Sequence, residues 1–249
     1  MRLLAFRKRL TVFTEERTEI MGRQILWDCH MHSSFSADSD TPMEVMIHRA
    51  VETGLQGITF TEHLDPDYPV TPDNLDFSLD IPAYKEKLAE LSDMYKDKIQ
   101  VRFGIELGLQ MHLGEYFESI LENISAYDGF DVYGHIDYVV RYGPNKNREY
   151  SYGRYKDILD EILKKLISMG KGIELNTGGY HYGLGEPNPC TAVIRRYREL
   201  GGEIITIGAD AHTPDKIACA FDKAASVLEA CGFRYYTIFK DRKPEFISL

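Results

Sequence analysis

Apolar residues along the chain gather in short runs rich in β-branched and aromatic side chains. Longer stretches with helical spacing separate them. The runs are Ile25–Cys29, Gly57–Thr61, Ile99–Glu106, Asp131–Val140, Gly172–Asn176, Glu203–Gly208 and Tyr235–Phe239. Runs of this kind, bounded by turn residues, predict strands. Thr41-Pro42-Met43-Glu44 combines a capping box with proline at the first helical position, and predicts a helix to Thr53 that Gly54 closes. Further helices are predicted over Ala83–Tyr95, Gly114–Tyr127, Tyr155–Met169, Thr191–Leu200 and Pro214–Ala230, with Gly170, Gly201 and Gly232 at helix stops. Strands alternating with helices imply βαβ units and a mainly parallel sheet, hence an α/β protein. Seven strands suit a barrel or an open sheet. The long loop Pro66–Pro82 contains four prolines, and loops of that length in compact domains are usually functional.

A chain of 249 residues with 43 % hydrophobic and 27 % charged positions can bury a sizeable core. We read residues 21–249 as a single domain and 1–20 as an N-terminal extension outside the fold, with Met21 as a possible start. The formal charge is −10, which argues against nucleic acid as the main partner, because phosphate backbones select basic surfaces. No apolar run approaches the ~20 residues of a membrane span, and the N-terminal stretch lacks the apolar region of a secretory signal. A cytoplasmic protein is expected. The four cysteines, Cys29, Cys190, Cys219 and Cys231, form no CxxC pair. They make neither a zinc knuckle nor a disulfide framework.

Metal-ligand residue types collect where the predicted strands end. Residues i and i+2 of a strand face one side. His30 and His32 can therefore reach one ion, with Asp28 on the same face as an orienting partner. Asp38 and Asp40 follow in a polar loop. His63 ends the second strand, Glu106 the third, and His135 and Asp137 lie on the fourth. Asp210 and His212 again share a face after the sixth. Each residue alone has an ordinary structural reading as a satisfied histidine or a helix cap. Five of seven strands ending this way define a multi-metal site at the edge where parallel sheets build their sites. Glu106 is the carboxylate placed to bridge two ions. A nitrogen and oxygen set without cysteine suits Zn, Mn or Fe, and paired ions of this kind serve hydrolysis of phosphate esters. Nucleophilic-serine, Walker and dinucleotide patterns are absent.

The segments DCHMHSSFSADS (Asp28–Ser39), GITFTEHLD (Gly57–Asp65), GIELGLQ (Gly104–Gln110), DVYGHIDYVVRYGP (Asp131–Pro144), GIELNTGGYHYGLGEPNP (Gly172–Pro189) and GADAHTP (Gly208–Pro214) resemble the polymerase and histidinol phosphatase (PHP) superfamily, most closely its histidinol-phosphatase branch. The resemblance implies a distorted (β/α)7 TIM-like barrel with two or three divalent ions at the strand carboxyl ends. Carried over residue by residue, it implies that His30, His32, Glu106 and Asp210 hold one ion. Glu106 and His135 hold a second, and Asp38, His63 and His212 a third. The implied reaction is hydrolysis of L-histidinol phosphate by a metal-activated hydroxide, with Asp210 or His212 handing a proton to the leaving oxygen. Arg141 is our candidate phosphate clamp, because a guanidinium fork fits phosphate oxygens. The expected partner is a small phosphorylated substrate.

One departure stands out. Members of the superfamily usually carry a further strand, ending in a G-S-x-H pattern, between the segments that match Gly104–Gln110 and Asp131–Pro144. Here Glu106 and Asp131 are too close for a full strand–helix unit, which takes about 30 residues, and the pattern is absent. One βα unit is therefore expected to be missing. The second ion then has two protein ligands, unless His112 or His181 is recruited. A phosphoesterase for another small ester or nucleotide, and a metal-binding variant with impaired catalysis, are the alternatives.

Overall fold

Alternation of the two hydrophobic periods is realised as alternation of strand and helix. The structure, a computed structural model, describes residues 25–65, 75–108 and 116–249. In chain order the elements are β1 (Trp27–Met31), α1 (Met43–Glu52), β2 (Gly57–Leu64), α2 (Ile81–Tyr95), β3 (Gln100–Leu107), α3 (Tyr116–Ala126), β4 (Val132–Tyr133), α4 (Lys156–Ser168), β5 (Gly172–Asn176), the one-turn α5 (Gly178–His181), α6 (Thr191–Glu199), β6 (Ile205–Gly208), α7 (Phe221–Ala230), β7 (Tyr235–Lys240) and β8 (Lys243–Ser248). The N-terminal extension, most of the proline-rich loop and His112 lie outside the described residues. Among the described residues no helix is long and apolar enough to cross a membrane.

Strands β1, β2 and β3 form one parallel sheet, and β4, β5 and β6 a second. A parallel bridge between Met31 and Ala211 ties the two together beside β1 and β6. All six strands therefore point their carboxyl ends the same way. β5 is buried at every position, as a parallel strand covered on both faces must be. Ile58 and Phe60 of β2 and Ile205 and Ile207 of β6 pack beneath Met46, Ile47, Leu91, Val193 and Ile194 of the helices, all fully buried. Among the described residues no ladder joins β3 to β4, and only α3 lies between them.

Three expectations need correction. The strand predicted over Asp131–Val140 ends at Tyr133. His135 has a φ of +22°, its N–H leaves the ladder to donate to Glu174 Oε2, and a 3-10 turn over Tyr138–Arg141 follows. The helix predicted over Pro214–Ala230 is broken, because Ala218 and Ala220 are left-handed (φ +55° and +57°). The Ala218 N–H donates to buried Asp28 instead of propagating a helix. Thr41 does not cap α1; its hydroxyl donates to the His212 carbonyl. The strand predicted over Tyr235–Phe239 forms as β7, which pairs antiparallel with β8 in a separate sheet.

Candidate metal centre

β1 and β6 converge through backbone contacts beyond their ladders. Asp210 N donates to His30 O, and His32 N to Ala211 O, both at 2.9 Å. Asp210 is left-handed (φ +57°), which turns its carboxylate back over β1. Gly208 makes the approach possible, because a Cβ there would overlap His30 Cβ and Glu174 Oε1. The β2–β3 register sets His63 directly beside Glu106. Asp28 acts on the backbone around His30. Its buried carboxylate accepts the backbone N–H groups of His30, Ala209 and Ala218, and burial pushes its pKa up to about 6.

The result is a cluster centred on Glu106. Its Oε2 lies 2.9 Å from His30 Nε2, 3.3 Å from His32 Nε2 and 3.5 Å from His63 Nδ1. Its Oε1 lies 2.8 Å from His135 Nε2. The two Nε2 atoms of His30 and His32 are 3.1 Å apart, and Asp210 Oδ1 stands 3.7 and 3.5 Å from them. Ligands about 2.0–2.1 Å from a tetrahedral zinc lie about 3.3 Å from one another. The separations of His30, His32, Glu106 and Asp210 scatter around that figure, so this donor set fits a divalent ion. Beside it, Asp38 Oδ2 is 3.4 Å from His63 Nε2 and 3.2 Å from His212 Nε2.

Hydrogen bonds on the far side of two rings fix which nitrogen faces the cluster. His30 Nδ1 is 2.8 Å from Glu174 Oε1, an acceptor, so Nδ1 carries the hydrogen and Nε2 is left for a metal. His212 Nδ1 likewise meets the Asp210 carbonyl at 3.1 Å. His32 is stacked between His63 (centroids 4.3 Å) and His212 (4.2 Å).

Burial disfavours the His30 imidazolium, but the Glu174, Glu106 and Asp210 carboxylates outweigh it and hold its pKa well above the ordinary 6.5. Burial also opposes the charged forms of His63 and His212, and contact with Asp38 raises both. Burial would lift Glu106 and Asp210, yet His30 and its neighbours hold both far below the usual carboxylate range. Ligation requires the imidazoles to give up their protons. Zinc affinity is therefore expected to rise with pH through and beyond 6.5, with protons released on binding. Stability of the metal-free protein runs the other way. A raised imidazole contributes stability that is complete below pH 6.5 and is lost as pH climbs through its raised value. Calorimetric zinc titrations in buffers of different ionisation enthalpy check the first expectation, and metal-free melting curves across pH the second. A zinc affinity flat with pH contradicts the first, and a metal-free melting temperature flat over that range contradicts the second.

The sequence-derived residues His30, His32, Asp38, His63, Glu106, His135, Asp210 and His212 thus meet in one place. Arg141 is beside them but buried. Nη1 donates to Asp210 Oδ2, Nη2 to Asn176 Oδ1 and Nε to Asn188 Oδ1. His181, on α5, borders the same cavity of about 1050 Å³, but it joins none of the metal-binding groups among the described residues. Burial, then Arg141, lowers its pKa. Three carboxylate and amide residues were missed. Glu174 holds His30, the backbone of His135 and Asn176. Asn176 and Asn188 hold Arg141. Glu174 sits inside the quoted GIELN run, and a carboxylate within a strand buried on both faces was the available signal. No local signal marked the asparagines.

A mixed α/β fold with imidazoles and carboxylates gathered at the carboxyl ends of parallel strands defines a metallohydrolase-like site. The PHP domain model matches residues 28–128 and 111–178, and the chain belongs to that family. It is 28 % identical over 260 residues to the histidinol-phosphatase of Lactococcus lactis subsp. lactis, covering 87 % of this chain and 95 % of the relative. It is also 28 % identical over 251 residues to a probable histidinol-phosphatase of Clostridium acetobutylicum, covering 84 % and 95 %. The crystal structure of the Lactococcus lactis histidinol phosphate phosphatase, complexed with zinc, L-histidinol and phosphate, superposes with a TM-score of 0.80 at 27 % identity. That match covers 90 % of this chain and 99 % of that one.

Proposed function

We propose that this protein is a metal-dependent phosphatase that hydrolyses L-histidinol phosphate to L-histidinol and phosphate. The observation that carries the reading is the Glu106 cluster, whose donor spacing fits a divalent ion. The relatives named above support the choice of substrate. In this reading His30 Nε2, His32 Nε2, Glu106 Oε2 and Asp210 Oδ1 hold one ion. Glu106 Oε1 and His135 contribute to a second, and Asp38, His63 and His212 hold a third. The ions are Zn, Mn or Fe. When bound, they supply Lewis-acid neutralisation of phosphoryl charge and activate water for attack on phosphorus. Arg141 fixes the Asp210 carboxylate, and its two N–H groups not used in the network would bind the phosphate. Asp210, held ionised beside His30 and Arg141, or His212 would take the proton released by the attacking water and hand it to the leaving alkoxide.

In this reading residues 21–249 are one domain, and the six parallel strands form a distorted barrel with no strand between β3 and β4 among the described residues. Phosphate release from L-histidinol phosphate, with added Mn, Zn or Fe and a chelator control, tests the function. Chelator-sensitive turnover above about 1 per second is expected. No turnover with any of the three metals, in protein shown to be folded, sinks the reading. The lack of a strand between β3 and β4 among the described residues gives one specific ground for a second reading, a metal binder with impaired catalysis. That reading requires the second ion to be lost, so three ions per chain by elemental analysis reject it.

A further inference from the structure

Glu62 lies next to a proposed ligand but takes no part in the cluster. It is fully buried on β2, where an unpartnered carboxylate would be costly. Its partners all come from the loop after β1. Ser33 N donates at 3.1 Å, Ser33 Oγ at 2.5 Å and Ser36 Oγ at 2.6 Å. Ser36 Oγ has two further neighbours, His63 N at 3.0 Å and His32 Nδ1 at 3.2 Å.

A hydroxyl has one hydrogen and two lone pairs. The 2.6 Å contact to a carboxylate is the length of a charge-assisted O–H···O bond, so the Ser36 hydrogen is committed to Glu62. The backbone N–H of His63 takes one lone pair. The other is left for His32 Nδ1, which must then carry a hydrogen of its own. His32 is stacked on both faces by His63 and His212 and has no exposed surface, which opposes ring reorientation. Its Nε2 is 3.1 Å from His30 Nε2 and 3.3 Å from Glu106 Oε2.

We propose that Glu62, acting through Ser36, is a positioning residue that sets the hydrogen-bond polarity around His32. It locks His32 in the Nδ1–H tautomer and turns a bare Nε2 to the cluster. The proposal deepens the metal-site reading and rests on it for its consequence, but the tautomer itself exists without metal.

Three variants separate the effects. In Glu62→Ala the Ser36 hydroxyl is freed to donate to His32 Nδ1, and the ring is driven to the Nε2–H form. In Glu62→Gln the amide oxygen must still face Ser33 N–H, so it still accepts from Ser36 and the Nδ1–H form is retained. Ser36→Ala removes the acceptor and releases the ring from the lock. The readouts are long-range 1H–15N spectra of the metal-free protein with labelled histidine, at a pH above the imidazole range, and calorimetric zinc affinity. Assignment comes from a His32→Gln control. Wild type and Glu62→Gln are expected to give the Nδ1–H pattern for His32, and Glu62→Ala and Ser36→Ala to lose it. Zinc affinity is expected to fall about 10–100-fold in Glu62→Ala, the usual effect of removing a partner behind a metal ligand, and to stay within a few-fold in Glu62→Gln. A bare Nδ1 in wild type overturns the proposal, as does an unchanged tautomer in Ser36→Ala. If wild-type His32 is Nδ1–H yet the protein neither binds zinc nor releases phosphate, the relay stands and the phosphatase reading falls.

Discussion

Glu106→Ala is expected to lower phosphate release from L-histidinol phosphate by about a thousandfold or more, and to leave the protein with fewer bound ions. The two oxygens of Glu106 approach His30, His32, His63 and His135 within 3.5 Å. Removing it deletes one donor from the first proposed ion and the connection to the second. Loss of a single group that stabilises transition-state charge costs about 10²–10³ in turnover, and a carboxylate shared by two ions acts on both. A thousandfold loss is about 4.1 kcal/mol of barrier. Elemental analysis of the purified variant and chelator-controlled turnover are the measurements. Activity within tenfold of wild type, at full metal content, would show that the bridging role is wrong. Glu106→Gln keeps the volume and separates charge from packing, and it is expected to lose nearly as much.

Arg141→Met is expected to cost the metal-free protein about 3–5 kcal/mol, the range for breaking one side of a buried ion pair. At about 2–4 °C per kcal/mol for a chain of this size, the melting temperature should fall by about 6–20 °C. The side chain is 3 % exposed. Its guanidinium bonds Asp210, Asn176 and Asn188 and packs 4.7 Å from the Tyr182 ring centroid. Methionine replaces the alkyl length but leaves Asp210 Oδ2 and Asn188 Oδ1 buried without a donor, while Asn176 Oδ1 keeps the Gly178 N–H. Asp210→Asn in the same background removes the orphaned charge and should recover part of the loss. A drop below 2 °C would show that the network contributes nothing to the fold. The clamp role is separate: Arg141→Lys keeps the charge without the fork, and an unchanged KM and turnover there would exclude it.

The class of fold was legible because hydrophobic period is a local property. Period-2 runs and helical stretches in alternation required parallel strands, and β1, β2, β3, β5 and β6 formed within a few residues of the predicted runs. The segment Gly134–Val140 departs from the predicted strand for an equally local reason. Its residues favour a strand, but the His135 N–H is drawn to Glu174, 39 residues away, which no local pattern encodes. Thr41 was misassigned in the same way, because the His212 carbonyl competes for its hydroxyl.

What the sequence by itself determined is the donor set: imidazole and carboxylate at successive strand ends, spaced so that each pair on one strand shares a face. Strand geometry accounts for the His30 and His32 pair, whereas Asp210, left-handed beyond the end of β6, is turned by its backbone. Only the tertiary structure decided which oxygen meets which nitrogen. Contact of β6 with β1 brings Asp210 to His30 and His32, and the β2–β3 register brings His63 to Glu106. Glu62, Glu174 and Arg141 depend on it still more. A buried charge is tolerated only where donors and acceptors from distant segments converge on it, and that convergence exists only once the strands are assembled.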